Sequence, residues 1–460
     1  VNRELQEALT AANVGALIPK IIDPMLLELQ RRYSPLVRAT PSQRWDSTVY
    51  YFNSRSARAT GGFVTDGGAR PTNQSTYQQN QFTIRNLQAV GAVTGYSQAV
   101  TRQVIGDLRA REVQGTIQGL YWDIETAMLW GNEGATQYGA YPQFSGLDTL
   151  ISDFTTTTKN ALDQAGATLT LPMLDQLIDT VEMNAATSIF DPSYMLVMSS
   201  TANSKIAQLL TNQQRFVNEV EVATGLNVMT YRGIPIIKSS FLSARQVSMG
   251  TVTSATATTG GVLPASSTYR YKVSAVIARQ GEVGVSAEVS QATGAGTATN
   301  TITLSFSSPT GMDGAAPILY KVYRTAAGGS ANSETLLGVV DAVVGVGADG
   351  ITPILTTSIV DDGVKLTPMN SSTAPAVNPA AYVSGNVNLL PPAAGQENIF
   401  LLPRTADYTV RPYVRELQQV DIYPTTTGPD ILPYALVSDT CLAVRGSKFL
   451  GRLARVAVAL

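Results

Sequence analysis

The sequence predicts an α+β fold that carries an inserted all-β sandwich. Three observations point there: a long amphipathic helix at residues 107–130, helical and strand-like runs on both sides of it, and a change of composition at about Met249. In the helix, Val113, Ile117, Leu120, Ile124 and Met128 recur at steps of three and four, which puts them in one stripe at 3.6 residues per turn. Asp107 is placed to cap its first turn, and Gly131-Asn132 to end it in a left-handed turn. Such a helix spans about 36 Å, enough to act as a spine. Gly115 and Gly119 each cost about 1 kcal/mol relative to alanine inside a helix. Either they are tolerated in an ordinary core helix, or a strand backbone passes close across them.

Residues 1–45 form an apolar arm interrupted by Pro19 and Pro24, with a short helix over 25–32 that Pro24 starts. From Trp45 to Leu87 two strands flank a polar, glycine-rich tip: Val49-Tyr50-Tyr51-Phe52 leads out and residues 81–87 lead back. A hairpin of this length has too little apolar surface to stand alone in water, so it is either a solvated loop or a clasp on a neighbouring subunit. Its charges are mostly basic, with Arg44, Arg55, Arg58, Arg70 and Arg85 against Asp46 and Asp66.

A short helix over 97–105 leads into the spine. A strand is expected at 147–151, an amphipathic helix at 171–186, a buried strand at 194–198, a helix at 201–210 and a strand at 232–238.

Residues 250–367 then become rich in Thr, Ser, Ala and Gly and lose helical periodicity. Strand-like runs recur at 251–258, 269–277, 283–292, 301–306, 318–324, 336–344 and 354–360, the pattern of a β-sandwich. Residues 399–403, 410–414 and 441–444 return to apolar strands that complete the earlier layers, and 453–460 end in a run tied into a sheet.

Composition excludes much chemistry. The 460 residues contain no histidine and a single cysteine, so no Ser-His-Asp triad, His-zinc site, internal disulfide or cysteine cluster can form. Cys441 sits in an apolar run and reads as a buried, inert thiol. Charged residues make up 14% against 44% hydrophobic, a surface suited to cover by neighbouring chains, and the net charge of −2 gives no polybasic patch for tight binding of nucleic acid or anionic membrane. The N-terminus shows no secretory signal, which reads as synthesis in the cytoplasm. Gly345-Val346-Gly347-Ala348-Asp349-Gly350 spells the dinucleotide fingerprint, but Ile351-Thr352-Pro353 follows where a helix should begin, so a loop is expected. Asp361-Asp362-Gly363 reads as a turn rather than a calcium site. No catalytic, cofactor or metal residue is assigned.

The arm Leu17-Ile18-Pro19-Lys20-Ile21-Ile22-Asp23-Pro24, the long hairpin, Val100-Thr101-Arg102-Gln103-Val104-Ile105 before the spine, Ala127-Met128-Leu129-Trp130-Gly131-Asn132 and Phe144-Ser145-Gly146-Leu147 together resemble tailed-phage major capsid proteins of the Hong Kong 97-type fold. The insert resembles fibronectin type III or bacterial immunoglobulin-like domains through Tyr269-Arg270-Tyr271-Lys272-Val273-Ser274-Ala275 and Gly281-Glu282-Val283.

The resemblance implies an N-terminal arm (1–45), an extended loop (46–95), a peripheral domain with the spine (96–150 and 400–460), an axial domain (151–248 and 368–399) and an inserted immunoglobulin-like sandwich (249–367). It implies hexamers and pentamers of an icosahedral shell that encloses DNA without sequence-specific binding. Portal, scaffold or protease would be partners during assembly, no membrane is involved, and the insert is exposed as a candidate host-glycan contact or brace. Intersubunit contacts fall to Arg55, Arg58, Phe63 and Arg70 on the loop and to Ile21, Ile22 and Met25 on the arm. Some members of this fold join a loop lysine to a neighbour's asparagine; no lysine lies between Lys20 and Lys159, so noncovalent stabilisation is expected. The rivals are an encapsulin-like compartment and a surface adhesin, with an enzyme last.

Overall fold

The structure, a computed structural model, describes residues 35–57, 59–66, 68–69, 74–102, 107–131, 144–151, 160–185, 188, 193–212, 219–223, 226–242, 249–277, 281–310, 316–346, 353–364, 366–368, 392, 395–420 and 430–458. Among these the α-helices are α1 (Leu36–Ala39), α2 (Gly95–Thr101), α3 (Leu108–Trp130), α4 (Leu147–Leu150), α5 (Leu171–Ala185) and α6 (Ser200–Asn212). Chain contacts group the described residues of 89–118 and 419–436 into one unit, and those of 32–88, 119–418 and 437–460 into a second. The short helix expected at 25–32 lies outside the described residues.

In the larger unit a seven-stranded mixed sheet is the central layer. Its order is Ala161–Asp163, Gly451–Ala457, Gln396–Pro403, Tyr194–Met198, Ile234–Lys238, Leu226–Tyr231, Glu219–Ala223. Strand Tyr194–Met198 is buried throughout, and its two faces enter different cores. Tyr194, Leu196 and Met198 pack with Leu174, Leu177, Ile178 and Val181 of α5 and Ala202 and Ile206 of α6. Met195 and Val197 pack with Ile124, Met128, Leu129 and Trp130 of α3. Period-two side chains on one strand thus bond a helical layer to each face of the sheet.

The spine forms as expected, with Asp107 Oδ1 accepting the Ala110 N–H at 3.1 Å. Leu120, Ile124 and Met128 are buried, whereas Val113 and Ile117 are only half-buried. One expectation is corrected and one open reading narrowed. Gly131 does not adopt the left-handed conformation, and Asn132 lies outside the described residues; a Cβ on Gly131 would lie 2.1 Å from the Phe144 carbonyl oxygen and 2.4 Å from that of Ala127, so close backbone approach selects glycine. At Gly115 no described residue lies within 4 Å of a Cβ, which among those residues favours the tolerated-glycine reading over a close strand.

Residues 147–150 are helical rather than extended, and Ile151 caps the turn in an extended conformation. Leu147, Leu150 and Ile151 are spaced for one helical face, and the Ile151 N–H closes the turn on the Leu147 oxygen at 3.0 Å. The returning hairpin strand is also redrawn. Thr76–Thr83 pairs with Val49–Ala57, and after Ile84, whose N–H bonds Thr48 O at 2.9 Å, a new strand Arg85–Thr94 pairs with Ile431–Thr440.

Between Val252 and Pro368 two sheets lie over one core. Val252–Ala257, Thr301–Phe306, Ser358–Asp361 and Leu366–Pro368 form the first; Gly281–Glu282, Thr268–Ile277, Pro317–Arg324 and Thr335–Asp341, with Val289–Ala292 also on Thr268–Ile277, form the second. Val252, Ile302, Leu304 and Ile359 from the first meet Tyr271, Val273, Ala275, Tyr320 and Val322 from the second. A charged bridge crosses this core: Asp361 Oδ2 accepts from Tyr271 OH at 2.8 Å and from Arg324 Nη1 at 2.6 Å.

The runs expected at 283–292, 336–344 and 354–360 are not single strands. Val343–Val346 and Pro353–Leu355 leave the sandwich sheets as a separate ribbon. The chain turns at the fully buried Ala342 and Thr356, where Thr356 N–H bonds Ala342 O at 2.7 Å. The fingerprint stretch therefore begins in a strand, and residues 347–350 lie outside the described residues. Asp361-Asp362-Gly363 is a turn, with the Gly363 N–H on Asp361 Oδ1 at 2.9 Å and Gly363 at φ +90°.

In the smaller unit Thr94 Oγ1 caps α2 by accepting the Ser97 N–H at 3.2 Å. Arg109 Nη2 donates to Pro433 O at 2.9 Å, and Thr116 Oγ1 and Tyr434 OH are 3.0 Å apart. Gly91 lies under the Tyr434 ring, where a Cβ would come within 2.3 Å of it.

Candidate assembly surface

The hairpin is a two-stranded ribbon with continuous register from Val49↔Thr83 to Ala57↔Thr76 and one irregularity between Arg55 and Ala57. Strand Thr76–Thr83 is exposed along most of its length. At the tip Phe63 is 111% exposed and Val64 54% exposed, which places an aromatic side chain wholly in solvent. Arg55 stacks over the Tyr77 ring at 5.3 Å, covering part of that exposed face. Two-stranded ribbons are marginal in water, so what fixes this one is its root.

The root is aromatic. Trp45 and Tyr50 meet edge-to-face at 4.8 Å and Phe52 stacks on Phe82 at 5.9 Å. Tyr50 is 1% exposed and packs on Val410 and Ala443. Arg445 donates from Nε to Tyr50 OH at 2.8 Å and from Nη2 to Gln43 Oε1 at 3.0 Å. An open cavity of about 470 Å³ lies beside this root, lined among others by Trp45, Tyr50, Phe52, Tyr408, Arg445 and Phe449.

A second anchor lies on the spine. Glu125 is wholly buried, its Oε1 accepting from Ser239 Oγ at 2.6 Å and its Oε2 from the Leu36 N–H at 3.0 Å. Burial pushes its carboxyl up to about 8, against the opposing pull of the hydrogen bonds from Ser239 and from the N–H groups of Val37 and Leu36. Helix α1 is thereby held on α3 through its otherwise unsatisfied first N–H groups.

Of the residues expected to make intersubunit contacts, Arg55 and Phe63 are exposed on one ribbon; Arg58, Arg70, Ile21, Ile22 and Met25 lie outside the described residues. Glu125 and Arg445 were not singled out from the sequence. Glu125 carried a signal, since its neighbours Ile124, Met128 and Leu129 mark the buried face of the helix and a carboxylate there needs partners. Arg445 carried none, because its partner is some 400 positions away in sequence. Cys441 is buried, as expected. Among the described residues no three His, Cys, Asp or Glu side chains come together as a metal site, and no helix is long and apolar enough to cross a membrane.

A family model described as SU10 major capsid protein matches residues 24–263. No curated protein matches the sequence. Among solved structures, the chain is similar to the holo-SrpI encapsulin complex from Synechococcus elongatus PCC 7942, at 10% identity and a TM-score of 0.48, covering 98% of each chain. It is also similar to the capsid of the native GTA particle, at 7% identity and 0.47, covering 98% of this chain and 100% of that one. The capsid of Myoviridae phage XM1 gives 6% identity and 0.45, with 98% and 100% covered.

Proposed function

The chain belongs to the SU10 major capsid protein family, and on that premise we propose that its exposed hairpin and N-terminal arm are the parts by which copies join into a closed shell. It is a tailed-phage major capsid protein, a structural protein of the virion capsid rather than an enzyme, and it acts as a homo-oligomeric shell.

The reading extends to a Hong Kong 97-type arrangement with hexamers and pentamers around DNA, α3 as its stiff member and residues 249–367 as an immunoglobulin-like insert on the outer face. The observation that carries the clasp role is Phe63, a large apolar side chain left entirely to solvent at the end of a ribbon whose root is firmly packed. Individually modest contacts suffice in such a shell, because closure makes later contacts effectively intramolecular. The net charge of −2 suits a lining that does not grip DNA strongly. With no lysine between Lys20 and Lys159, the hairpin has no amine for a crosslink to a neighbour, and the shell is held noncovalently there. Portal, scaffold or protease, and a host-surface glycan for the insert, are the partners this reading allows.

Deleting residues 55–75 tests the clasp. The expected outcome is a folded chain that fails to form full-size particles by negative-stain microscopy; stable full-size particles from that variant would overturn the role.

A further inference from the structure

We propose that the side chains of Lys272 and Asn332 become joined by an intramolecular isopeptide bond, formed with the help of the Glu334 carboxyl. Lys272 lies on strand Thr268–Ile277 with its side chain on the face opposite the sandwich core, since its neighbours Tyr271 and Val273 point into that core. It is only 7% exposed, unusual for a lysine without a close carboxylate. Its Nζ lies 2.5 Å from Asn332 Oδ1, while the one carboxylate in its ion pair, Glu334 Oε2, is 3.8 Å away. A charged ammonium normally prefers a carboxylate at short range to an amide oxygen. Here the amine is set on the amide carbonyl, with the carboxyl in reach but farther off.

The amide is positioned by its surroundings. Asn332 sits at φ +61°, and its N–H donates to Glu288 Oε2 at 3.0 Å; Glu288 Oε1 in turn takes Arg270 Nη1 at 2.5 Å. The groups around the amide are thus Lys272 and Arg270 against Glu334 and Glu288. The side chain of Glu334 is wholly buried, and burial together with the Glu288 carboxyl raises its pKa, which favours a proton on Glu334. Asn332 itself is exposed, so a small leaving group has a way out.

The chemistry balances without an oxidant or cofactor. A proton passes from the Lys272 ammonium to Glu334, leaving a neutral amine and a neutral acid. The acid hydrogen-bonds Oδ1 and polarises the carbonyl. The Nζ lone pair adds to Asn332 Cγ, a proton from Nζ moves to Nδ2, and the Cγ–Nδ2 bond breaks to release ammonia. Glu334 then passes its proton to the departing ammonia, which leaves as ammonium, and ends as the carboxylate it began. Holding amine and amide together replaces an unfavourable bimolecular encounter with an intramolecular step. The product would tie the turn between strands Pro317–Arg324 and Thr335–Asp341 to the neighbouring strand Thr268–Ile277, stiffening the insert by a covalent link independent of any contact between subunits.

The test is the intact mass of the purified, denatured full chain, followed by proteolysis and fragment sequencing. The expected result is a mass below that of the sequence by one molecule of ammonia and a branched peptide joining Lys272 to Asn332. Lys272→Arg and Asn332→Ala should each restore the full mass, and Glu334→Gln should restore it while keeping the native circular dichroism. A wild-type chain of full mass, with Lys272 and Asn332 recovered in separate linear peptides, overturns the bond; a branched peptide in Glu334→Gln overturns the role of the acid. These readings are made on the unassembled chain, so they are independent of shell formation.

Discussion

Glu125 Oε2 accepts the Leu36 N–H at 3.0 Å, so a carboxyl on the spine helix holds the first turn of α1, where the described part of the chain begins. The same carboxyl takes Ser239 Oγ at 2.6 Å, and three segments far apart in sequence meet at one buried side chain. Removing it would leave a buried hydroxyl and backbone N–H groups without their acceptor, which is costlier than the loss of an average hydrogen bond.

That site makes stability depend on pH. Folding raises the Glu125 carboxyl from its ordinary 4.5 to about 8, so the folded state binds the proton more tightly than the unfolded chain. Its contribution is fully present below pH 4.5 and is lost as pH rises through about 8, a swing on the order of a few kcal/mol. Denaturant unfolding of unassembled protein should show Glu125→Gln flattening this dependence, with its advantage over the wild type largest above pH 8. Glu125→Ala should cost about 2–4 kcal/mol at pH 5.

The sandwich core contains a charge pair of the kind that is expensive to break on one side. Arg324→Met leaves Asp361, which is wholly buried, without its guanidinium and should cost about 3–5 kcal/mol. Arg324→Met with Asp361→Leu should recover much of that loss, and the comparison of the two in equilibrium denaturation checks it.

The hairpin root should govern how often the ribbon opens. Tyr50→Phe removes the hydroxyl that accepts from Arg445 and should cost about 1–2 kcal/mol. Because the loss falls on a local unit, trypsin should cut at Arg55 faster in this variant than in the wild type under native conditions.

Phe63→Ser separates folding from association. The side chain is fully exposed, so unfolding stability should change by no more than about 0.5 kcal/mol. Particle yield should fall nonetheless. Sedimentation of the assembled fraction, measured beside the denaturation midpoint, distinguishes the two.

Much of this fold was legible because periodicity survives in long, one-sided elements. The helix at 171–185 and the strand at 194–198 follow directly from their apolar spacing, and the switch to strand-like runs near Met249 coincides with the start of the two-sheet core. Short elements misled. Residues 147–151 are too few to show whether their apolar pattern is helical, and a continuous apolar run at 336–344 hides the crossing at Ala342, where tertiary contacts decide which sheet each half joins. The hairpin itself was readable from its two strand-like runs and the glycine-rich stretch between them. Its anchor was not, because the Tyr50–Arg445 and Glu125–Leu36 contacts join residues far apart in the chain, and pairings of that kind leave no local trace.

The central claim, that copies of this chain build a shell, is tested most directly by electron microscopy and light scattering of the purified full-length chain across a range of concentration and salt. Closed, uniform particles that disappear on deleting residues 55–75 are the expected result. A compact monomer under every condition tried would contradict it.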